Sequence, residues 1–336
     1  MRAILIRELG DASQLYNGHV EKPAPKATEV LVRIKAFALN HMDILQREGK
    51  YPVAVKVSPI LGVEVSGIVE SVGKDGKFKE FKVGEAVFGL MPGGAYAEFA
   101  VLQEALTMHK PEALSFEEAA AIPETWFTAY QALFLVGEMK KGHDVLIHAG
   151  ASGVGTAAIQ LAKEAGANRI FVTVGSEKKI EFCESIGATK AINYKTQNWS
   201  EVILRETNNK GVNLLIDFIG KDYWKQNMEV LGVDGHMVFL DFMTGSHVED
   251  FDISVLLRKR LRIEGSNLRA RSLDYQRHLR NEVYQHAVLN HFAKHDGVLK
   301  VIVNRVFDWE DIRGAHEYLE SNQAMGKVVV KVTTNW

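Results

Sequence analysis

The hydrophobic pattern changes rhythm once, near Pro123. Before it, short stretches alternate apolar and polar residues. Residues 29–39, EVLVRIKAFAL, show this most clearly, and residues 67–73 and 84–90 repeat it between bends marked by Gly67, Gly73, Gly84 and Gly89. Alternation at period two predicts strands with one buried face, so this part reads as β-rich. The spacing is irregular and shows no internal repeat. After Pro123 the apolar runs stop alternating. They fall at 145–150, 169–175, 190–194, 212–220, 236–242 and 261–267, with helical patterns at 154–165 and 178–187. Strands buried on both faces, alternating with helices, predict an α/β fold with a doubly wound parallel sheet. A long polar helix pattern at 274–295 follows, then residues 301–320 and a strand at 327–332. This tail is expected to return to the first domain. The predicted organisation is a β-rich domain, residues 1–123 and 268–336, split around a nucleotide-binding sheet, residues 124–267.

The stretch VLIHAGASGVGTAAIQLA, residues 145–162, carries no Lys, Arg, Asp or Glu and could pass for a membrane span. Gly150, Gly153 and Gly155 break it too early for that. Glycines there instead mark a strand, a tight turn and a helix start. A dinucleotide fingerprint needs small residues at positions zero, two and five, which here are Gly150, Ser152 and Gly155. The backbone must turn sharply, approach a pyrophosphate and pack the helix on the strand, while N–H groups at the helix start face the phosphates. A purely structural turn is the bland alternative.

An NAD site places a carboxylate about twenty residues further on, at the end of the second strand. That strand ends here at Gly175 and Ser176, followed by Glu177, Lys178 and Lys179. Ser176, Lys179 and Tyr194 suit a 2′-phosphate, with Glu177 expected to point away. The expected cofactor is therefore NADPH. A solvated helix face is the competing reading of the two lysines.

Composition narrows the classes. Formal net charge is −2, apolar residues make up 46% and charged residues 24%. No global field draws this chain to nucleic acid or anionic lipid. The start, MRAILIRELGD, lacks the apolar stretch of a secretory signal. Cys183 is the only cysteine, so no internal disulfide or four-cysteine zinc lobe can form. These features fit a reducing cytoplasm. His291 and His295 sit four apart, but Phe292 stands where a metalloprotease motif needs Glu.

Several stretches together resemble one family. They are ALNHMDILQREGKY (38–51), LGVEVSG (61–67), GGAYAEF (93–99), AAAIPETWFTAYQAL (119–133), the glycine segment, GSEKK (175–179), INYK (192–195) and GKVVV (326–330). They span nearly the whole chain and are similar to medium-chain dehydrogenases/reductases of the zinc-independent quinone oxidoreductase branch. The resemblance implies a GroES-like catalytic domain, a Rossmann domain, NADPH and a homodimer. It implies that Thr128 approaches the nicotinamide side and that Ser152, Gly153 and Val154 hold the pyrophosphate. Gly175, Ser176, Lys179 and Tyr194 would hold the 2′-phosphate. Phe242, Met243, Asn267, Leu268 and Arg269 would line the nicotinamide pocket, and Lys327 would close it. Zinc enzymes of the family carry a catalytic cysteine where this chain has Asn40, and a histidine where it has Val63. No metal is expected, because those two positions supply no zinc ligand.

A quinone or enone is electron-poor enough to take hydride without a Lewis acid. The protein must then stack the acceptor and stabilise an oxyanion. Asn40 and Tyr51 are the candidate donors, and their bland roles are a strand-end hydrogen bond and a pocket wall. Three functions stay open: quinone reduction, reduction of α,β-unsaturated carbonyls, and NADPH binding as a sensor with little turnover.

Overall fold

The computed structural model describes residues 1–51, 58–73 and 80–333. The strands run in chain order as β1 (Arg2–Ile6), β2 (Leu15–His19), β3 (Glu29–Ala38), β4 (Glu64–Val72), β5 (Ala86–Leu90), β6 (Phe99–Gln103) and β7 (Thr107–His109). A second series follows: β8 (Asp144–Ile147), β9 (Arg169–Val174), β10 (Lys190–Asn193), β11 (Val212–Asp217), β12 (Leu231–Phe239) and β13 (Arg262–Gly265). The chain closes with β14 (Val303–Asp308) and β15 (Lys327–Lys331). Two compact units result, one from Met1–Thr125 with Arg271–Trp336, the other from Trp126–Ala270.

In the second unit all strands are parallel, in the order β10-β9-β8-β11-β12-β13. This is the doubly wound order of a dinucleotide fold. The continuous apolar runs follow from it, because a sheet flanked by helices buries both faces. Leu146, Phe171, Leu215 and Met237 pack with Trp199 and Ile203 in one buried cluster. Each such side chain contributes about 1.5–3 kcal/mol. The helix Gly153–Glu164 buries Ala157, Ala158, Leu161 and Ala162. Strand order reverses between β8 and β11, and ligands of such sheets bind at the carboxyl ends there. Among the described residues, no helix is long and apolar enough to cross a membrane.

The first unit holds a sheet in the order β14-β15-β3-β4-β5-β7, with β6 also on β3 and a separate β1-β2 ribbon. Strand β15 pairs antiparallel with β3, placing Val329 opposite Ala38, and β3 pairs with β4, placing Phe37 opposite Val65. The residues just past those pairs, Asn40, Glu64 and Lys327, therefore meet at one end of three adjacent strands. Phe37 stacks on Tyr96 at 4.4 Å in the core beneath them. The long polar pattern after residue 273 is an α-helix only over Leu273–Val283, then widens into a π-helix over Tyr284–Phe292.

Candidate functional site

The candidate nucleotide site of the second unit forms at the carboxyl end of β8. Ala149 adopts φ 50°, turning the chain towards Ser152. A Cβ on Gly155 would lie 2.5 Å from the Ala149 carbonyl oxygen, and one on Gly150 would lie 2.6 Å from Val172 Cβ. Glycine is thus forced at both positions. Ser152 caps the helix, its hydroxyl accepting from Gly155 N at 3.0 Å. Helix geometry leaves the N–H groups of Gly153 and Val154 without intrahelical acceptors. A turn with free donors at the start of a twelve-residue helix fits a pyrophosphate.

Beneath this turn lies a buried polar chain that the sequence reading missed. Asn227 donates from Nδ2 to Asp217 Oδ2 at 2.9 Å, which leaves its Oδ1 to accept from His148 Nε2 at 2.8 Å. The neutral imidazole then accepts at Nδ1 from the Thr173 hydroxyl at 2.9 Å. Burial lowers the proton affinity of His148, so the ring stays neutral. Burial also raises the Asp217 carboxyl, opposed by His148 and by the N–H groups of Ile219 and Gly220. The chain ties the ends of β8, β9 and β11 together. Its only sequence signal is a polar residue inside each apolar run.

At the end of β9 a Cβ on Gly175 would lie 2.9 Å from Tyr194 Oη, so glycine admits the tyrosine there. Ser176 caps the helix Glu177–Ser185, and its hydroxyl accepts from Lys179 N at 3.4 Å. Gly175, Ser176, Lys179 and Tyr194 thus gather at one corner. Lys179 is half-buried. Desolvation lowers its proton affinity, Cys183 opposes that shift, and Lys195 adds to it. Glu177 accepts from Asn193 Nδ2 at 3.2 Å, turned towards the end of β10. Cys183 is buried and its thiol is pushed up to about 12, mainly by desolvation.

Phe242 and Met243 follow β12 and are 48% and 54% exposed. Asn267, Leu268 and Arg269 follow β13. Asn267 Oδ1 accepts from Ala270 N at 3.1 Å, and Leu268 is buried. Thr128 is half-buried on the helix Pro123–Tyr130.

A separate polar cluster lies in the first unit. Asn40 precedes the helix His41–Arg47 and donates from Nδ2 to Glu64 Oε1 at 2.8 Å. Lys327 Nζ donates to Asn40 Oδ1 and to the Leu39 carbonyl, each at 2.7 Å, and pairs with Glu64 Oε1 at 2.7 Å. Glu64 is fully buried and its Oε2 accepts from Glu124 N at 2.8 Å. The Asn40 N–H donates to Asp43 Oδ2 at 2.9 Å, and Gly62 N donates to Asp43 Oδ1 at 3.2 Å. Tyr51 hydrogen-bonds through its N–H to the Leu45 carbonyl at 3.2 Å, next to residues 52–57, which lie outside the described residues.

Asp43 begins a second buried chain. Arg47 donates from NH1 to His316 Nδ1 at 3.1 Å. A guanidinium cannot accept, so neutral His316 carries its proton on Nε2 and donates it to Tyr96 Oη at 3.1 Å. The Tyr96 hydroxyl then donates to Asp43 Oδ2 at 3.2 Å. Burial pushes the Asp43 carboxyl up to about 6 against the pull of Asn40 N, Lys327 and Tyr96. At neutral pH it remains the acceptor that this polarity requires.

Comparison with known proteins agrees with this geometry. Residues 26–112 match the family described as alcohol dehydrogenase GroES-like domain, and residues 153–283 match the family described as zinc-binding dehydrogenase. A zinc-type alcohol dehydrogenase-like protein of Schizosaccharomyces pombe is 30% identical, covering 99% of both chains. The chain belongs to the medium-chain dehydrogenase/reductase family, in its quinone oxidoreductase branch. It is a nicotinamide-dependent oxidoreductase. Among solved structures, this oxidoreductase is similar to Escherichia coli quinone oxidoreductase complexed with NADPH, at TM-score 0.87 and 29% identity over 98% of this chain and 100% of that one. It is equally close in fold to the CurK enoyl reductase, at TM-score 0.87 and 27% identity over 99% of both chains. The glycine-bound turn and capped helix of the second unit fit a nicotinamide dinucleotide such as the one in that quinone oxidoreductase complex.

Proposed function

We propose that this chain passes hydride from NADPH to a quinone without a metal. The observation that carries the reading is the closed arrangement of Asn40, Glu64 and Lys327. In the positions where zinc relatives hold their first two ligands, this chain has an amide already bonded to an ammonium and a carboxylate, and the apolar Val63. A tetrahedral zinc needs thiolate, imidazole or carboxylate donors directed at one point, and this pair supplies none. The bound nicotinamide supplies the hydride. Asn40 Nδ2 has a second hydrogen beyond the one given to Glu64, and that hydrogen stabilises the oxyanion formed on the acceptor. Tyr51 is the alternative donor. Ser152, Gly153 and Val154 hold the pyrophosphate, and Thr128, Phe242, Met243, Asn267, Leu268 and Arg269 border the nicotinamide. Gly175 admits Tyr194 beside Ser176 and Lys179, and this corner selects the 2′-phosphate. A homodimer in the cytoplasm completes the proposal.

The likeness to an enoyl reductase favours a second reading, reduction of α,β-unsaturated carbonyls. Turnover of purified protein with 1,2-naphthoquinone and with an enone or enoyl thioester separates the two. The first reading expects NADPH consumption with the quinone and no change after chelator treatment. Consumption with the enone alone, or activity lost to chelator and restored by zinc, overturns it. Tight NADPH binding without turnover on either acceptor points to a sensor.

A further inference from the structure

The Asn40 carboxamide is held at both ends by groups of opposite character. An ammonium has three hydrogens and no acceptor, and a carboxylate has only acceptors. Lys327 Nζ therefore meets Asn40 Oδ1, and Glu64 Oε1 meets Asn40 Nδ2, at 2.7 and 2.8 Å. The three hydrogens of Lys327 are matched by Leu39 O, Asn40 Oδ1 and Glu64 Oε1. Reversing the amide would set its NH2 group against the ammonium and its oxygen against the carboxylate. Both partners are buried, at 6% and 0% side-chain exposure, so water cannot relieve that mismatch. All three residues stand at the ends of the adjacent strands β15, β3 and β4, and Glu64 is pinned in turn by Glu124 N.

We infer that Lys327 and Glu64 are positioning residues, a clamp that fixes Asn40 with its nitrogen as the donor for the acceptor substrate. The inference rests on the metal-free reading above. It gives Lys327 a task different from closing the nicotinamide pocket. Among the described residues only Glu64 takes a hydrogen from Asn40 Nδ2, which leaves the second hydrogen for a developing oxyanion. In a zinc enzyme the metal fixes the polarity of this site. Here a buried ion pair fixes it through an amide.

The test is a double-mutant cycle with Asn40→Ala and Lys327→Met, read as kcat and KM for 1,2-naphthoquinone with NADPH. Asn40→Ala should lower kcat about tenfold, the worth of one hydrogen bond in a dry site. Lys327→Met should lower it by a similar factor with the NADPH dissociation constant unchanged, and should cost nothing more in the Asn40→Ala background. Because removal of one buried charge can unfold the chain, Lys327→Met/Glu64→Gln is measured beside it. Additive losses, or a loss confined to NADPH affinity, overturn the clamp. The side-chain amide resonance of Asn40 gives a readout with no substrate present. It should be protected from hydrogen exchange in the wild type and exchange at least roughly tenfold faster in both Lys327 variants. Unchanged protection overturns the clamp whichever acceptor the enzyme uses. Intact protection effects with no quinone turnover overturn only the quinone reading.

Discussion

His316 offers the sharpest test of the buried chemistry. It lies in the helix Ile312–Glu320, between Arg47 and Tyr96, and is fully buried. Desolvation, then the Arg47 charge, pushes its proton affinity from 6.5 down to about 3. The unfolded chain takes this proton below about pH 6.5, whereas the folded chain refuses it until far lower. Stability is therefore present above pH 6.5 and lost as pH falls. At roughly 1.4 kcal/mol per unit, the loss between pH 7 and pH 5 is about 2 kcal/mol. Asp43 acts in the opposite sense, because folding raises its carboxyl from 3.8 to about 6. It withholds stability at neutral pH and returns about 1 kcal/mol by pH 5. Asp43 offsets about half of the His316 loss in the wild type, so a single pH curve separates neither. His316→Gln removes only the first, since the amide still donates to Tyr96 and never ionises. Urea unfolding of both proteins should show the wild-type advantage shrinking by about 2 kcal/mol from pH 7 to pH 5. Parallel pH profiles would refute a neutral, desolvated His316.

Two further substitutions test the nucleotide half. Lys179→Ala should raise the KM for NADPH by roughly tenfold to a hundredfold, the worth of one charged hydrogen bond, and leave NADH unchanged. Equal affinity of the wild type for both cofactors would contradict the assignment of that corner. Gly155→Ala forces a Cβ to within 2.5 Å of the Ala149 carbonyl. It should cost about 1–3 kcal/mol in thermal unfolding and weaken NADPH binding measured by fluorescence, because the same turn is the proposed pyrophosphate site. Unaltered affinity would mean that the turn is only structural.

Local features were legible in the chain itself. The apolar runs at 145–150, 169–175 and 212–220 became β8, β9 and β11, because burial on both faces leaves no alternation to hide. Gly150 and Gly155 were legible for a steric reason, since no Cβ fits there. The missing carboxylate after β9 and the missing zinc ligands could be read off by position. What the sequence could not determine is which distant residues meet. Lys327 and Asn40 are 287 positions apart, and only the placement of β15 on β3 brings them together. The His148 and His316 chains likewise join residues from separate elements, 79 and 220 positions apart at His148–Asn227 and Tyr96–His316. Periodicity reports how a residue relates to its neighbours along one element. Strand order and register decide which elements become neighbours, and so which buried polar groups find partners.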